Sequence, residues 1–454
     1  MILPRFFRSS FILSLLLLVF TASGRAEQVS GLPETVFPTL DQVLQQALSK
    51  SPRMVLRELD LRIARGDLLQ AKSGLYPSVG GFYSQMETQD KREDLPGQTL
   101  DTSKTYYNVS LTQPVFHWGE RRNNAKLGEI RASIARKQYG EAYRQLALEI
   151  RSAYLNLIGT KAQLASARFS RALADQALQS GEVRVAGGAI AEGEIFPLRI
   201  AAEQAALAVE THESNLIYAK QHYAVLTGLP EPADDEIPDS IPLLDHVRSD
   251  MDDMLASFLG QAEPMTPSTE ILRRQIDIEK LNYANSRKRL LPKLNFTVGL
   301  SQDEQSYTLN LAQKYGLQSK YVALQVNWSI FDGFATRGAI ASALARRRQA
   351  EENFRQSIDN LQYQAQSAAR TVKLAYRQMA INDRLLDSSL QFLNFRRDRF
   401  KEGAASEADV NNAQAGYNSA LVAANSARQT YLMKVAEFVS MIARDPVMQH
   451  VKLN

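Results

Sequence analysis

The chain has 454 residues, of which 44% are hydrophobic and 22% are charged, and its formal net charge is only +4. Such a balance argues against a nucleic-acid partner, which would require a strongly basic face. The sequence contains no cysteine. Disulfides, cysteine-ligated metal centres, a thiol nucleophile and a lipid-modified N-terminal cysteine are therefore excluded.

The first 26 residues have the pattern of an export signal. Arg5 and Arg8 form a basic segment, residues 11–20 are apolar, and small residues follow as far as Ala26. The apolar run is shorter than the roughly 20 residues of a spanning helix, which favours a cleaved signal over a retained anchor. No later segment is apolar enough to span as a helix, so an exported chain of this kind would enter a membrane only through β-strands.

The rest of the sequence is a tandem duplication with an offset of 215 residues. The matching pairs include Pro52 and Pro267, Pro77 and Pro292, Phe116 and Phe331, Gly188 and Gly403, and Glu192 and Glu407. We predict a first repeat over residues 40–230 and a second over 255–445, followed by a short tail over 446–454. The segment 231–254 is acidic and rich in proline, which predicts a solvated connector.

Each repeat begins with helical spacing, and Ser51 and Pro52 are a candidate N-cap and first residue of one helix. The apolar spacing then changes to every second residue, which predicts two strands of about ten residues in each repeat. In the second repeat the apolar faces comprise Leu294, Phe296, Val298 and Leu300, and then Val322, Leu324, Val326, Trp328 and Ile330. In the first repeat the clear strand contains Tyr107, Val109 and Leu111, and a less regular one covers residues 79–89.

This alternation is typical of the strands of an outer-membrane barrel, although soluble hairpins covering a core would show it as well. Four strands are too few to close a barrel around a lumen. The strands therefore either cover a core or contribute to a barrel that several chains share.

Two proline-free segments, residues 120–185 and 336–402, predict helices that are roughly 100 Å long. The first carries apolar residues in two neighbouring stripes, as expected for a helix with a partner on both sides. Each segment ends in a glycine-containing turn, where Gly188 and Gly403 can adopt a positive φ. Returning helices over about 194–226 and 409–441 are half as long, so the short helix before the strands can stack on each of them.

Several motifs, in this order and duplicated, resemble the TolC family of outer-membrane efflux and secretion channels. They are Leu-Asp-x-x-Leu-x-x-Ala-Leu before Ser51-Pro52, the strand entries Leu-Tyr-Pro and Leu-Leu-Pro, the strand exits Gln-Pro-Val-Phe and Ser-Ile-Phe-Asp-Gly, the turn Gly-Ala-x-Ser-Glu-x-Asp, and Leu-Thr-Gly-Leu-Pro. The resemblance covers both repeats and therefore nearly all of the chain after the signal.

The resemblance implies a mainly α-helical fold with a membrane β-barrel contribution. Three chains would form a homotrimer with a 12-stranded barrel in outer-membrane lipid and an α-helical tunnel through the periplasm of a Gram-negative bacterium. The tunnel would open on binding a periplasmic adaptor and an inner-membrane pump of the RND, ABC or MFS type. Drugs or secreted protein would then pass through it passively.

The resemblance also assigns functional residues. The family's gate acid corresponds to Asp409, with Glu194 at the equivalent position of the first repeat, whereas a second acid of the family is replaced by Asn412. Adaptor docking would use the two helical tips, composed of Gly187, Gly188, Ala189 and Ile190, and of Gly403, Ala404, Ala405 and Ser406. Lipid would contact the apolar faces of the strands, namely Leu294, Phe296, Val298, Val322, Leu324, Val326 and Trp328.

Other function classes find little support in the sequence. The five histidines are scattered, and neither His-Glu-x-x-His nor Gly-x-Ser-x-Gly occurs, so we expect neither an enzyme nor a bound cofactor or metal. The basic run 287–289 is either a solvated surface or a contact for lipid head groups. The alternative function is a periplasmic coiled-coil scaffold or adaptor without a pore, which would have no use for half-apolar strands.

Overall fold

A computed structural model describes residues 31–91, 99–244, 248–307 and 314–451, so the predicted signal segment 1–26 lies outside the described residues. The helices are α1 Pro33–Val36, α2 Pro38–Lys50, α3 Pro52–Ser73, α4 Glu120–Ala186, α5 Ile195–Thr227, α6 Arg248–Leu259, α7 Pro267–Ser286, α8 Ala335–Lys401 and α9 Glu407–Met441. The strands are β1 Ser78–Lys91, β2 Thr99–Phe116, β3 Lys293–Tyr307 and β4 Lys314–Asn327. Short 3-10 turns occur at Glu192–Glu194 and Pro446–His450. The predicted class, mainly helical with four antiparallel strands, is confirmed.

The architecture is a wall of four columns, each formed by one strand and the helices that continue it. The strands form one antiparallel sheet in the order β1-β2-β3-β4. Helix α3 leads into β1 and α7 into β3, whereas α4 follows β2 and α8 follows β4. Helix α4 packs against α3 and α5 on one side and against α7 and α9 on the other, and α8 packs against α7 and α9. The outer columns are therefore α3 with α5 at one edge and α8 at the other.

The long helices agree closely with the sequence prediction. Helices α4 and α8 have 67 residues each, and both begin at a turn in which two successive residues have positive φ. In the first repeat these residues are Trp118 and Gly119, and at the equivalent positions of the second they are Gly333 and Phe334. Within the described part of the chain, no helix combines the length and the apolar character needed to cross a membrane.

The strand boundaries differ from the prediction in two respects. The strands are 14 to 18 residues long, rather than about ten. Strand β4 ends at Asn327, which pairs with Lys293, so Trp328 and Ile330 lie beyond the strand. The next partner for Trp328 would be Pro292, which has no N–H to donate, and the ladder stops there.

The core lies at mid-height, where α2 and α6 pack against the long helices. One cluster of buried residues joins α2, α4 and α5, and a second joins α6, α8 and α9. Ile237 and Ile241 belong to the first cluster, although we predicted a solvated connector there. Lys161 of α4 anchors the same segment by donating to the carbonyl oxygens of Asp234 and Ile237, at 2.8 and 2.6 Å. The acidic residues of the segment predicted exposure to solvent. The segment instead packs against the helices, because Ile237 and Ile241 are buried there and Lys161, which is distant in sequence, bonds its carbonyl oxygens.

A buried ion cluster joins both ends of the described chain to α4. The guanidinium of Arg151 is fully buried and bonds the carboxylate of Asp445 at 2.6 and 2.8 Å. Arg151 also bonds the carboxylate of Glu34, from Nε at 2.9 Å and through a second, shorter contact. An arginine paired in this way on two sides satisfies its charge without water.

The predicted end-to-end stacking of short and returning helices is confirmed in the first repeat. Ser51 lies at the N-cap position of α3, but its hydroxyl donates to the carbonyl oxygen of Leu226 at 2.8 Å and does not cap the helix. Gly228 ends α5 with φ +72°, and a Cβ there would lie 2.2 Å from the carbonyl oxygen of Lys50. The stacked ends therefore meet at a glycine that requires both a positive φ and the absence of a side chain.

We expect Gly228→Ala to destabilise the chain far more than Gly188→Ala. Both glycines have a φ near +70°, so each alanine incurs roughly 1–2 kcal/mol of backbone strain. Only Gly228 has neighbouring backbone within 4 Å, and the clash adds roughly 1–3 kcal/mol. Apparent melting temperatures of the two purified variants measure the difference, and equal shifts would contradict the stacked junction.

Candidate functional site

The tip of each helical hairpin is closed by the same hydrogen-bond pattern. In the first repeat the N–H of Gly188 bonds the carbonyl of Val185 at 2.9 Å, and that of Ala189 bonds Arg184 at 2.8 Å. In the second repeat Gly403 and Ala404 make the equivalent bonds, at 3.0 and 2.8 Å. This is the Schellman motif, and its positive-φ glycines are those predicted from the sequence.

The side chains at the two tips are small and mostly exposed. Ile190 and Ala405 are half-buried, and the remaining six tip residues are exposed, namely Gly187, Gly188, Ala189, Gly403, Ala404 and Ser406. A partner helix could therefore approach the backbone of either turn closely.

The predicted gate acid Asp409 forms a capping box with Ser406 at the start of α9. Its carboxylate accepts from the backbone N–H of Ser406 at 2.9 Å and from the hydroxyl at 2.8 Å, while the Ser406 hydroxyl accepts from the N–H of Asp409 at 3.1 Å. The backbone hydrogen bond and then the hydroxyl lower the pKa of Asp409 below its usual value. The contribution of Asp409 to stability is therefore present above its unfolded-state pKa and is lost as the pH falls through the lowered folded-state pKa.

The other two predicted gate residues are arranged differently. Glu194 occupies the equivalent position to Asp409, but it ends a 3-10 turn, and the N-cap residue there is Ala191, which has no hydroxyl. Among the described residues, Glu194 makes no side-chain hydrogen bond or ion pair, and it is exposed. Asn412 is exposed on the first turns of α9. The structure thus places all three at the tips, but it forms no contact between Glu194 and Asp409.

One contact between the tips was missed from the sequence. Gln176 of α4 donates to the carboxylate of Glu407 at the start of α9, at 3.1 Å. This bond joins the first hairpin to the second close to the tips. No local pattern signals it, whereas the spacing Ser-x-x-Asp of residues 406–409 was a detectable capping signal.

The sheet has one apolar face and one polar face. The ladder aligns Val79, Leu111, Val298 and Val322 in one row, and the adjacent row aligns Phe296 with Leu324. Residues that are directly paired lie on the same face, so Leu294 and Val326 join this set. The opposite face carries Asn295 paired with Gln325, and Thr297 paired with Ala323 and Thr112. The predicted apolar residues therefore lie on one face, which also carries Gln113, paired with Phe296, and Lys320, paired with Leu300. Trp328 lies just beyond the end of this face.

Comparison with known proteins identifies the family. The family model described as "Outer membrane efflux protein" matches residues 43–227 and 273–444, well over half of the chain. This chain belongs to the outer membrane efflux protein family, as the resemblance implied. It is an outer-membrane efflux protein whose helices extend into the periplasm.

Individual relatives agree with this assignment. The outer membrane efflux protein BepC of Brucella suis is 29% identical over 125 residues, which is 28% of this chain and 27% of that protein. The Campylobacter jejuni CmeC outer membrane channel is similar in fold with a TM-score of 0.68 at 15% identity, covering 91% of this chain and 90% of that chain. The outer membrane protein VceC of Vibrio cholerae has a TM-score of 0.64 at 15% identity, covering 89% and 96%.

The two tips allow a reciprocal test of the capping box. Ser406→Ala removes an N-cap and should weaken the start of α9 by about 1 kcal/mol, which speeds local hydrogen exchange about fivefold. Ala191→Ser creates Ser-x-x-Glu with Glu194 and should slow exchange at the start of α5. Hydrogen exchange followed by mass spectrometry measures both, with the unmodified tip of each variant as its control. Unchanged exchange in Ser406→Ala would mean that the cap does not stabilise the tip.

Proposed function

We propose that three copies of this chain assemble into a continuous exit duct through the outer membrane and the periplasm. The observation that carries this proposal is that both lateral edges of the four-column wall lack a partner among the described residues. Strands β1 and β4 are the two edges of the sheet in the described structure. An open sheet edge is not tolerated in the hydrocarbon of a membrane, because its N–H and C=O groups have no water to bond.

The outer helices support the same closure. Leu374, Ile381, Leu385, Phe392 and Phe395 of α8 are all at least half exposed, and their spacing of 7, 4, 7 and 3 residues is that of a coiled-coil seam. At the opposite edge, Phe196, Ile200 and Leu207 of α5 are also more than half exposed. The exposed apolar residues of α8 in one copy can therefore pack against those of α5 in the next copy.

The two faces of the sheet suit lipid on one side and a water-filled lumen on the other. From the row of Tyr107 to the row of Val326, this face spans eight residue steps, roughly 27 Å along the strand. At the usual tilt of about 40° this gives a band about 21 Å high, slightly less than the ~25 Å height of a barrel's apolar belt. The opposite face, with Gln325 and the ion pair of Lys104 with Asp303 at 3.0 Å, would line the lumen.

A matched pair of substitutions tests this assignment. Leu324 and Gln325 are adjacent in β4 and lie on opposite faces. Leu324→Arg would place a charge in lipid at a cost of roughly 2–4 kcal/mol, whereas Gln325→Lys would remain in water. We expect the first variant to lose most of its outer-membrane trimer and the second to retain it. Equal trimer yields, or a monomeric soluble chain in both, would contradict the shared barrel.

The closed end of the duct would lie at the helical tips, where Asp409 and Glu194 each occur three times around the axis. Like charges about 6 Å apart repel each other strongly where the effective dielectric is about 20, so such a ring attracts cations. The carboxylate of Asp409 is already bonded to Ser406, whereas Glu194 has no bonding partner among the described residues. Glu194 is therefore the stronger candidate for a cation contact, and Asn412 lowers the charge of the ring.

Single-channel recordings with multivalent cations added from the periplasmic side test the gate. Glu194→Gln should raise the cation concentration needed for block several-fold, and Asp409→Asn should raise it less. Both substitutions keep the side-chain shape, and the amide oxygen introduced by Asp409→Asn can still accept a bond from Ser406. Unchanged block in the double variant would remove both acids from the lumen and leave Asp409 as a helix cap alone.

The duct would operate with a periplasmic adaptor and an inner-membrane pump, and its six tips would be the adaptor contact. The exposed small residues Ala189 and Ala404 lie directly after the positive-φ glycines and need no special backbone conformation themselves. Bulk at these positions would therefore block close approach without disturbing the turn.

We expect Ala189→Trp combined with Ala404→Trp to abolish export and adaptor crosslinking while trimer levels stay normal. The matched control replaces both alanines by serine, which keeps the side chains small and should preserve export. Adaptor crosslinking in intact cells and the quantity of trimer in outer-membrane fractions are the measurements. Normal export by the tryptophan variant would place the adaptor contact elsewhere on the helical wall.

A further inference from the structure

We propose that a cleft at the junction of the sheet and the helices in the second repeat binds the head group of an anionic glycerophospholipid from the periplasmic leaflet. The cleft has a volume of about 710 Å³ and lies between the turn that joins α7 to β3 and the segment that joins β4 to α8. Arg289, Lys293 and Trp328 line it, together with Val326 and Asp332. The proposal rests on the proposed function in one respect, which is that the helical end of the sheet faces the periplasm.

Three successive cations occupy the turn that borders this cleft, and of these only Arg289 lines it. In the described part of the chain, Arg287, Lys288 and Arg289 form no ion pair, and Arg287 only stacks over the ring of Tyr283 at 5.9 Å. By contrast, Lys293 is paired with Glu120 at 2.6 Å. The acid in the cleft, Asp332, accepts bonds from the N–H and the hydroxyl of Thr336, at 3.0 and 2.6 Å. Arg289 therefore balances Asp332 within the cleft, and the excess positive charge of this turn comes from Arg287 and Lys288 next to it.

The duplication indicates that the fold does not require these cations. The equivalent positions in the first repeat are Lys72, Ser73 and Gly74, and Lys72 is neutralised by Glu129 at 3.0 Å. The position equivalent to Glu129 in the second repeat is Leu344. The same backbone turn is thus built once with a single, paired cation and once with three unpaired ones.

Trp328 accompanies the cations only in the second repeat, although both repeats carry an aromatic pair after the strand, Phe116 with Trp118 and Phe331 with Phe334. Trp328 is 60% exposed, and the equivalent residue of the first repeat is Gln113. Tryptophan is enriched where a membrane meets water, because its ring is apolar and its N–H is polar. Phe331 and Phe334 pack against each other beside it, with ring centres 5.4 Å apart, and both are about two-thirds exposed.

Together these features suit a phosphodiester attached to acyl chains. The guanidinium and ammonium groups recognise the phosphate, and juxtamembrane cations attract anionic lipid. The chains of such a lipid would lie along the apolar face of β4, which begins at Val326 beside the cleft. A free phosphate would use the cations but neither Trp328 nor the apolar strand.

Native mass spectrometry of the detergent-solubilised full chain tests this, with phosphatidylglycerol and phosphatidylethanolamine as the probes. We expect the wild-type protein to retain phosphatidylglycerol preferentially, even after a wash with inorganic phosphate. Lys288→Ser with Arg289→Gly reproduces the first repeat at these positions and should lower phosphatidylglycerol affinity by about 25-fold, or about fivefold per cation. Lys72→Gln, which removes the paired cation, should leave it unchanged, and Trp328→Gln should weaken retention of both lipids.

Equal affinity for phosphatidylglycerol in the wild type and the Lys288→Ser, Arg289→Gly variant would overturn the proposal. Complete displacement of the lipid by inorganic phosphate would also overturn it, because the site would then bind phosphate alone. Lipid retention is measured per chain whether the protein is trimeric or monomeric. Loss of the trimer would therefore count against the proposed duct, whereas loss of lipid preference in an intact trimer counts only against this site.

Discussion

The whole structure depends on the fact that neighbouring helices lie farther apart than neighbouring strands. Each strand continues into one helical column, yet neighbouring strands lie about 4.8 Å apart and packed helices about 8–10 Å apart. Two of the columns pass from strand to helix through the turns that lead from β2 to α4 and from β4 to α8. Two successive left-handed residues make each turn, and in each pair one is aromatic, Trp118 or Phe334. A duct closed from such columns is wider through its helices than through its strands.

The duplication reuses one design with different local chemistry. Arg168 of α4 pairs with Glu213 of α5, and at the equivalent positions Asp383 of α8 pairs with Arg428 of α9, each at 2.8 Å. The charges are exchanged while the geometry is retained. The second pair is mostly buried, and Arg428 also bonds the carbonyl oxygen of Ile241 in the connector. In the second repeat, the buried Arg428 therefore also binds the segment that joins the two repeats.

Much of the fold could be predicted because its signals are local. Proline-free periodicity located α4 and α8 to within about one residue, and the glycines at 188 and 403 located their ends. The site was less predictable, because Asp409 and Glu194 occupy equivalent positions but differ in what precedes them. Ser406 makes a cap for Asp409, whereas Ala191 cannot make one for Glu194.

The errors arose where a residue's partner is distant in sequence. Acidic composition predicted a solvated connector, but Ile237 and Ile241 are buried against helices from both repeats. The alternation of apolar and polar residues predicted that β4 continues through Trp328. The strand ends at Asn327, because the residue facing Trp328 would be Pro292, which has no N–H to donate. Neither outcome is visible in a window of ten residues, since each depends on which segment lies opposite.

The ion cluster around Arg151 has a consequence for the order in which the chain can fold. Arg151 lies in the first repeat, but one of its carboxylates, Asp445, is supplied by the last turn of the second. Until that turn has been exported, a guanidinium that is fully buried in the finished protein lacks half of its counter-charge. Closure of the mid-height core is therefore coupled to completion of the chain.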